Sequence, residues 1–146
     1  MKQRARIEGQ DELVAALKKL GEGAEIEIDR VVQATGLELR GEIVKMYQRH
    51  TPTGIIYEKY NPRRTHQASA PGEPPATDTG RLAGSVEYTK VGQVAAEVGT
   101  QVNYGAWLEF GTLSIAKRPA WLPAIEIIRP LFRRRMETAL SRLINR

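Results

Sequence analysis

Apolar residues return every three or four positions through Ile28, Val32, Thr35, Leu39, Ile43 and Met46. This is the repeat that stacks side chains on one face of a helix. The spacing predicts a long helix that opens after Gly23 and buries one side. It should end near His50, because the residue before Pro52 is pushed out of helical geometry. Gly36 and Gly41 interrupt the pattern at about 1 kcal/mol each relative to alanine, so close packing against a neighbouring backbone is expected to compensate. Upstream, Ala5 and Ile7 among polar neighbours fit a short strand over 2–8. Asp11 stands as N-cap of a short helix whose Leu13, Leu17 and Leu20 share a face before Gly21 ends it.

Further along the chain the period changes to two. Val86 and Tyr88, then Val94, Ala96 and Val98, alternate with polar residues on either side of a turn near Gly92, which predicts an antiparallel hairpin. Tyr104 and Leu108 next share a face in a short helix that Gly111 stops. Glu109 falls in its last turn, where the negative helix end disfavours a carboxylate, so a cation, Arg81 or Arg118, is expected beside it. From Pro119 the pattern is helical again, with Pro123 tolerable in a first turn and Pro130 expected to kink or break the helix. Leu131, Phe132, Met136, Ala139, Leu140, Leu143 and Ile144 make its apolar stripe, flanked by Arg133, Arg134, Arg135 and Arg142. These elements define an α+β fold: a small antiparallel sheet, the hairpin plus edge strands, packed against a long central helix and a C-terminal amphipathic helix.

Between the two halves the period vanishes. Over 51–75, Tyr57, Tyr60, Arg63, Arg64 and His66 are scattered among turn formers, and Pro71, Gly72, Pro74 and Pro75 bar a ladder or a helix. A long Pro/Gly-rich interaction loop is expected over about 51–79, ordering on contact with a partner. It ends at a helix-start signal, where Asp78 or Thr79 can cap the turn carrying Gly80, Arg81 and Leu82.

Composition narrows the class. A chain of 146 residues, 41% hydrophobic and 27% charged, reads as one soluble domain with a core of its own. It has no cysteine, which excludes disulfides and thiolate metal sites, and its apolar runs are too short for a membrane span or a signal peptide. Cytoplasm is the expected place of synthesis and use. The net charge of +5 is concentrated at the end, with eight Lys or Arg against two Glu from Lys117 onward. Nucleic acid, an acidic partner protein or water would each suit that surface.

Candidate chemistry is sparse. Asp78-Thr79-Gly80 is the tripeptide of aspartic proteases, but prolines precede it where an apolar strand is required and Arg81 follows it, so a structural turn is the better reading. His50, Glu58 and His66 fit no metal-ligand spacing. No phosphate-cradling loop occurs, and no nucleophile stands beside a base and an orienting group. Tyr104, Trp107, Phe110 and Trp121 read as core or subunit-interface anchors.

Several separated motifs together resemble a known family. They are Ser69-Ala70-Pro71-Gly72-Glu73-Pro74-Pro75, Asp78-Thr79-Gly80-Arg81-Leu82, Tyr104-Gly105-Ala106-Trp107-Leu108-Glu109-Phe110-Gly111-Thr112, and Arg118-Pro119 ahead of Leu122-Pro123-Ala124. In this order they look like the tail-completion or neck proteins of long-tailed bacteriophages, of the lambdoid gene-product-ten-like type, over roughly 11–146. The segment 51–75 is an insert relative to shorter members. The resemblance implies a structural virion protein that completes the tail end and helps join it to the DNA-filled head as a ring subunit. It implies no catalytic residue and no cofactor. Implied partners are head-closure, tail-terminator or tail-tube proteins and further copies of the chain, with non-specific contact to DNA in the lumen and none to membrane. The virion tail or neck is the implied location, after assembly in host cytoplasm. Asp78, Thr79, Gly80, Arg81, Leu82, Tyr104, Leu108, Glu109, Phe110, Gly111, Arg118 and Pro119 become scaffold hallmarks. Tyr57, Tyr60, Arg63, Arg64, Arg133, Arg134 and Arg135 become the residues facing a partner or DNA. The alternative reading is a basic nucleic-acid-binding module, marked by steep loss of binding with salt.

Overall fold

The 3.6-residue stripe folds as predicted into helix α1 (Gly23–Arg49), against which the C-terminal helix and the central sheet pack. The computed structural model describes residues 3–7, 13–14, 21 and 23–145. Within them the order is β1 (Gln3–Ile7), α1, β2 (Ile56–Tyr60), β3 (Arg63–Gln67), α2 (Arg81–Gly84), β4 (Val86–Gly92), β5 (Ala95–Thr100), α3 (Tyr104–Phe110) and α4 (Trp121–Ile144). The cap at Asp11 and the positions Leu17 and Leu20 lie outside the described residues, while Leu13 and Val14 pack against the core.

The predicted hairpin forms the body of an antiparallel sheet in the order β1-β5-β4, and the expected N-terminal strand pairs on its far side. Val86 faces Thr100 and Tyr88 faces Val98 across one ladder, and Ala5 faces Val98 across the other. Along β5, buried Ala96, Val98 and Thr100 alternate with half-buried Ala95, Glu97 and Gly99, so one face of the sheet lies on α1. Helix α4 also packs against α1. Two apolar clusters result. One joins Leu39, Ile43, Val98, Trp121 and Ile128; the other joins Ile28, Val32, Ala96 and Met136. Ile28, Val32 and Ile43 are wholly enclosed, a contribution of about 1.5–3 kcal/mol each.

Details of the stripe shift. Tyr47, rather than Met46, closes it, and its hydroxyl accepts the Trp121 indole N–H at 2.8 Å. Burial pushes that phenol well above its usual range. Gly36 is compensated, although by side chains and not by backbone: a Cβ there would lie 2.9 Å from Tyr88 Cε2 and 3.2 Å from the Ala96 Cβ. Gly41 is not, since a Cβ there would meet nothing within 4 Å. Helix α4 continues through Pro130 without a break. The proline is exposed, so the carbonyl it leaves unserved one turn back can be hydrated. Leu131 and Ile144 leave the expected stripe for solvent.

Asp29 pins the turn between β4 and β5 onto α1. It accepts from the Val94 amide at 3.1 Å, from Gln33 Nε2 at 2.6 Å and from the Lys90 ammonium. Partial burial opposes its charge, but these donors outweigh that and hold the carboxyl below its ordinary range. Val94 itself sits at φ 56, unusual for a β-branched residue, with its side chain buried in the second cluster.

The segment expected to be an unstructured loop is partly regular. Strands β2 and β3 form an antiparallel hairpin joined at Asn61–Pro62, whose peptide bond is cis. Sequence periodicity missed it because both faces are wet: in each strand the burial sequence is three exposed residues, one partly covered and one exposed.

Candidate functional site

Asp78 does not cap α2. The N-cap is Gly80 at φ 75, without a side-chain cap, and Thr79 Oγ1 accepts only a long 3.4 Å bond from the Arg81 amide. The Asp78 carboxylate turns instead to the β2–β3 hairpin. It binds the Lys59 ammonium and Arg64 at 2.8 Å, with His66 at 3.8 Å. These partners, the Lys59 hydrogen bond first among them, lower its pKa. An ionised carboxylate held by two cations is the opposite of a proton-sharing aspartate pair.

The base of the hairpin is braced by Glu73. Its carboxylate accepts from the Thr53 hydroxyl, the Thr53 amide at 3.1 Å and the Ala70 amide at 2.8 Å, and meets His50 Nε2 at 3.1 Å. These bonds, led by the Thr53 hydroxyl, hold its pKa down at about 2. His50, Glu58 and His66 therefore go to different places. His50 serves Glu73, His66 neighbours Asp78, and Glu58 accepts from the Tyr60 hydroxyl at 3.1 Å.

Beside this loop a cleft of about 240 Å³ brings two of the separated hallmarks together. One wall is the run from Pro75 to Ala83; the other is Tyr104 and Leu108 on α3, with Tyr47 at the side. Leu82 also packs into the core.

Glu109 departs most from expectation, since neither Arg81 nor Arg118 pairs with it. Among the described residues it is the one buried charged side chain. Its carboxylate accepts the amides of Ala120 at 2.8 Å, Trp121 at 3.1 Å and Leu122 at 2.9 Å. A helix start leaves its first amides without intrahelical partners, and here Pro123 has none to offer. One side chain thus satisfies the free donors of the α4 start and places a negative charge at its positive end. The sequence signal was Pro123 preceded by no Ser, Thr, Asp or Asn, which left the cap to be supplied from elsewhere.

Arg118 works as a tie. Its amide donates to the Leu108 carbonyl, its Nε donates to the Ser69 carbonyl at 3.2 Å, and the neighbouring Lys117 carbonyl accepts from Gly72. Pro119 follows, half-buried, at the turn into α4. Gly111 stands at φ 77, where an added Cβ would lie 3.0 Å from the Ile115 carbonyl oxygen. Thr112 closes the same loop through its amide to Ile115 and its hydroxyl under the amides of Ser114 and Ile115.

Outward from this scaffold lie large apolar groups. Trp121 is core, but Trp107 is 52% exposed, Phe110 73% and Leu113 fully so. On the hairpin, Tyr57 and Tyr60 are exposed as expected, with Ile55 and Ile56 beside them. Of the arginines read as facing a partner, Arg64 is taken by Asp78, and Arg135 is held in a two-point bond to Glu38 at 2.7 and 2.8 Å. Arg63, Arg133 and Arg134 are exposed and form no ion pair among the described residues. Among those residues no helix is long and apolar enough to cross a membrane, and no cluster of three His, Asp or Glu is placed to hold a metal ion.

By family the chain is of the bacteriophage tail-component class. Residues 11–111, which include both hairpins, the Asp78 to Leu82 run and α3, match the family described as "Bacteriophage HK97-gp10, putative tail-component". The chain belongs to this HK97-gp10-like family. No curated protein and no solved structure matches it. Membership of a tail-component family implies a place in the virion and contact with other tail proteins.

Proposed function

We propose that the chain completes the tail end of a long-tailed phage or prophage and helps join it to the DNA-filled head, as a non-catalytic ring subunit. The observation that carries this reading is the display of large apolar side chains on two held surfaces, in a member of a tail-component family. Such anchors are what subunit and partner interfaces use. Head-closure, tail-terminator or tail-tube proteins are the partners that suit a neck position, reached by assembly in the host cytoplasm. Particles made without the gene test it: negative-stain images should show filled heads beside blunt, undocked tails. Normal, infectious particles would overturn the proposal.

Arg133 and Arg134, exposed and without an ion pair among the described residues, support a lesser role toward DNA in the lumen. Contacts of this kind go to phosphates, carry no sequence preference and weaken steeply with salt. Retention of the isolated chain on DNA at low salt, lost steeply as salt rises, together with normal particles made without the gene, would favour a basic nucleic-acid-binding module instead.

A further inference from the structure

We infer that the β2–β3 hairpin is a releasable arm: Glu73 keeps its strands together, while Asp78 holds it down on the body through an ionic contact that salt can open. Neither strand packs on a helix or on the three-stranded sheet beyond marginal contact, and neither supplies a residue to the apolar clusters. Side chains two apart share a face of a strand. Tyr57 and Lys59 therefore lie with their cross-strand partners His66 and Arg64, and Ile56, Glu58 and Tyr60 lie on the other side. Within the two strands only Lys59 and His66 are partly covered, which makes theirs the docked face. A sheet fixed to a core turns its apolar face inward. Here Ile56 and Tyr60 face away from the body, and the cations face it.

The two carboxylates do separate jobs. Glu73 accepts from the amide and hydroxyl of Thr53 on one side of the neck and from the Ala70 amide on the other, so it clamps the two ends of the hairpin together. Just above the clamp, the Gly54 amide donates to the Ala68 carbonyl and the Ala68 amide to the Ile55 carbonyl, each at 2.9 Å. Asp78 takes no part in this neck. It meets the strands further out, through Lys59, Arg64 at 2.8 Å and His66 at 3.8 Å. Among the described residues no other ion pair joins either strand to the body.

That contact is open to solvent, since the Lys59 side chain is 40% exposed and that of Arg64 39%. Charges so placed are screened, over about 8 Å at physiological ionic strength and about 3 Å at 1 M, and exposed pairs hold weakly. A buried apolar contact would not yield to salt in this way. With Asp78 disengaged, the neck remains as the pivot and the clamped strands move as one piece. Five residues of strand span about 17 Å, so the arm carries Tyr60 well clear of the body and frees the charges of Lys59 and Arg64.

The test uses the full chain, whose lack of cysteine lets spin labels be placed at chosen sites. Labels at Arg63→Cys on the arm and Glu126→Cys on α4, both exposed positions, report the arm by double electron–electron resonance. Labels at Gln48→Cys on α1 and Glu126→Cys report the body. At low salt the arm pair should give a single narrow distance. That distance should be lost to a broad distribution in about 1 M potassium chloride, in Asp78→Asn, and in Lys59→Gln combined with Arg64→Gln, while the body distance stays fixed. Amide exchange within β2 and β3 should remain slow throughout, because Glu73 still clamps the neck. An arm distance that ignores the salt, or ignores removal of the charges on either side of the contact, would overturn the inference. Strand amides that exchange freely in Asp78→Asn would overturn it too, since the hairpin would then melt instead of swinging.

Discussion

Replacing Glu109 tests the joint between α3 and α4. In the native protein its two oxygens accept three amides, at 2.8, 3.1 and 2.9 Å, from a site that is 7% exposed. In Glu109→Ala those donors lose their acceptor, and two of them, at Ala120 and Trp121, are buried. Hydrogen bonds to a charged group contribute about 1.5–3 kcal/mol each, but a shared acceptor is not additive, so a loss of about 4 kcal/mol is expected. At roughly 3 °C per kcal/mol for a domain of this size, the thermal midpoint should fall by about 12 °C. Glu109→Gln keeps one oxygen for Ala120 and Trp121 and turns an N–H toward the Leu122 amide. About 2 kcal/mol is the expected cost, from one lost acceptor and the lost charge at the helix start. Urea unfolding followed by circular dichroism reads both, and an unchanged denaturant slope shows that the native state is intact. A glutamine variant within about 0.5 kcal/mol of wild type would refute the reasoning, because the charge would then contribute nothing to α4.

Gly36→Ala should cost about 1–3 kcal/mol because its methyl group meets Tyr88 and Ala96, whereas Gly41→Ala should stabilise by about 0.5–1 kcal/mol; equal effects in thermal melts would contradict the packing. Gly111→Ala forces a side chain into φ 77 against the Ile115 carbonyl and should lose about 1–3 kcal/mol, read as a lower urea midpoint. Acid should loosen the hairpin before the core. Glu73 is held at about 2 against an ordinary 4.5, and Asp78 is also lowered, so their contribution is complete above pH 4.5 and disappears as pH falls toward 2. Acid-protease cleavage within 51–78, normalised to an unstructured peptide, should rise through that window while helical circular dichroism holds. Glu73→Gln should raise cleavage already at pH 5, and an unchanged pattern would count against the brace.

What could be read from the sequence follows the water. Ile28, Val32, Leu39 and Ile43 were legible because one side of α1 is dry, and Val86, Ala96 and Val98 because one face of the sheet is. The hairpin around Asn61 was not: with both faces wet, Tyr57 and Tyr60 carry no alternation to detect. Asp78 and Glu109 were assigned the wrong partners. Each carboxylate was matched to what lay near it in sequence or to a generic cation, while its donors come from elements 19 and 11 residues away. Helical dipoles and unsatisfied amides are easy to foresee along one segment. Which segment answers them is decided by tertiary packing.

The carboxylate at the start of α4 also fixes an angle. Because the aromatic helix supplies the acceptor and the arginine-bearing helix supplies the donors, the two cannot rotate about their connecting loop without breaking all three bonds. A displacement of the terminal helix is therefore carried to the helix that bears Trp107 and Phe110 for as long as those three bonds hold.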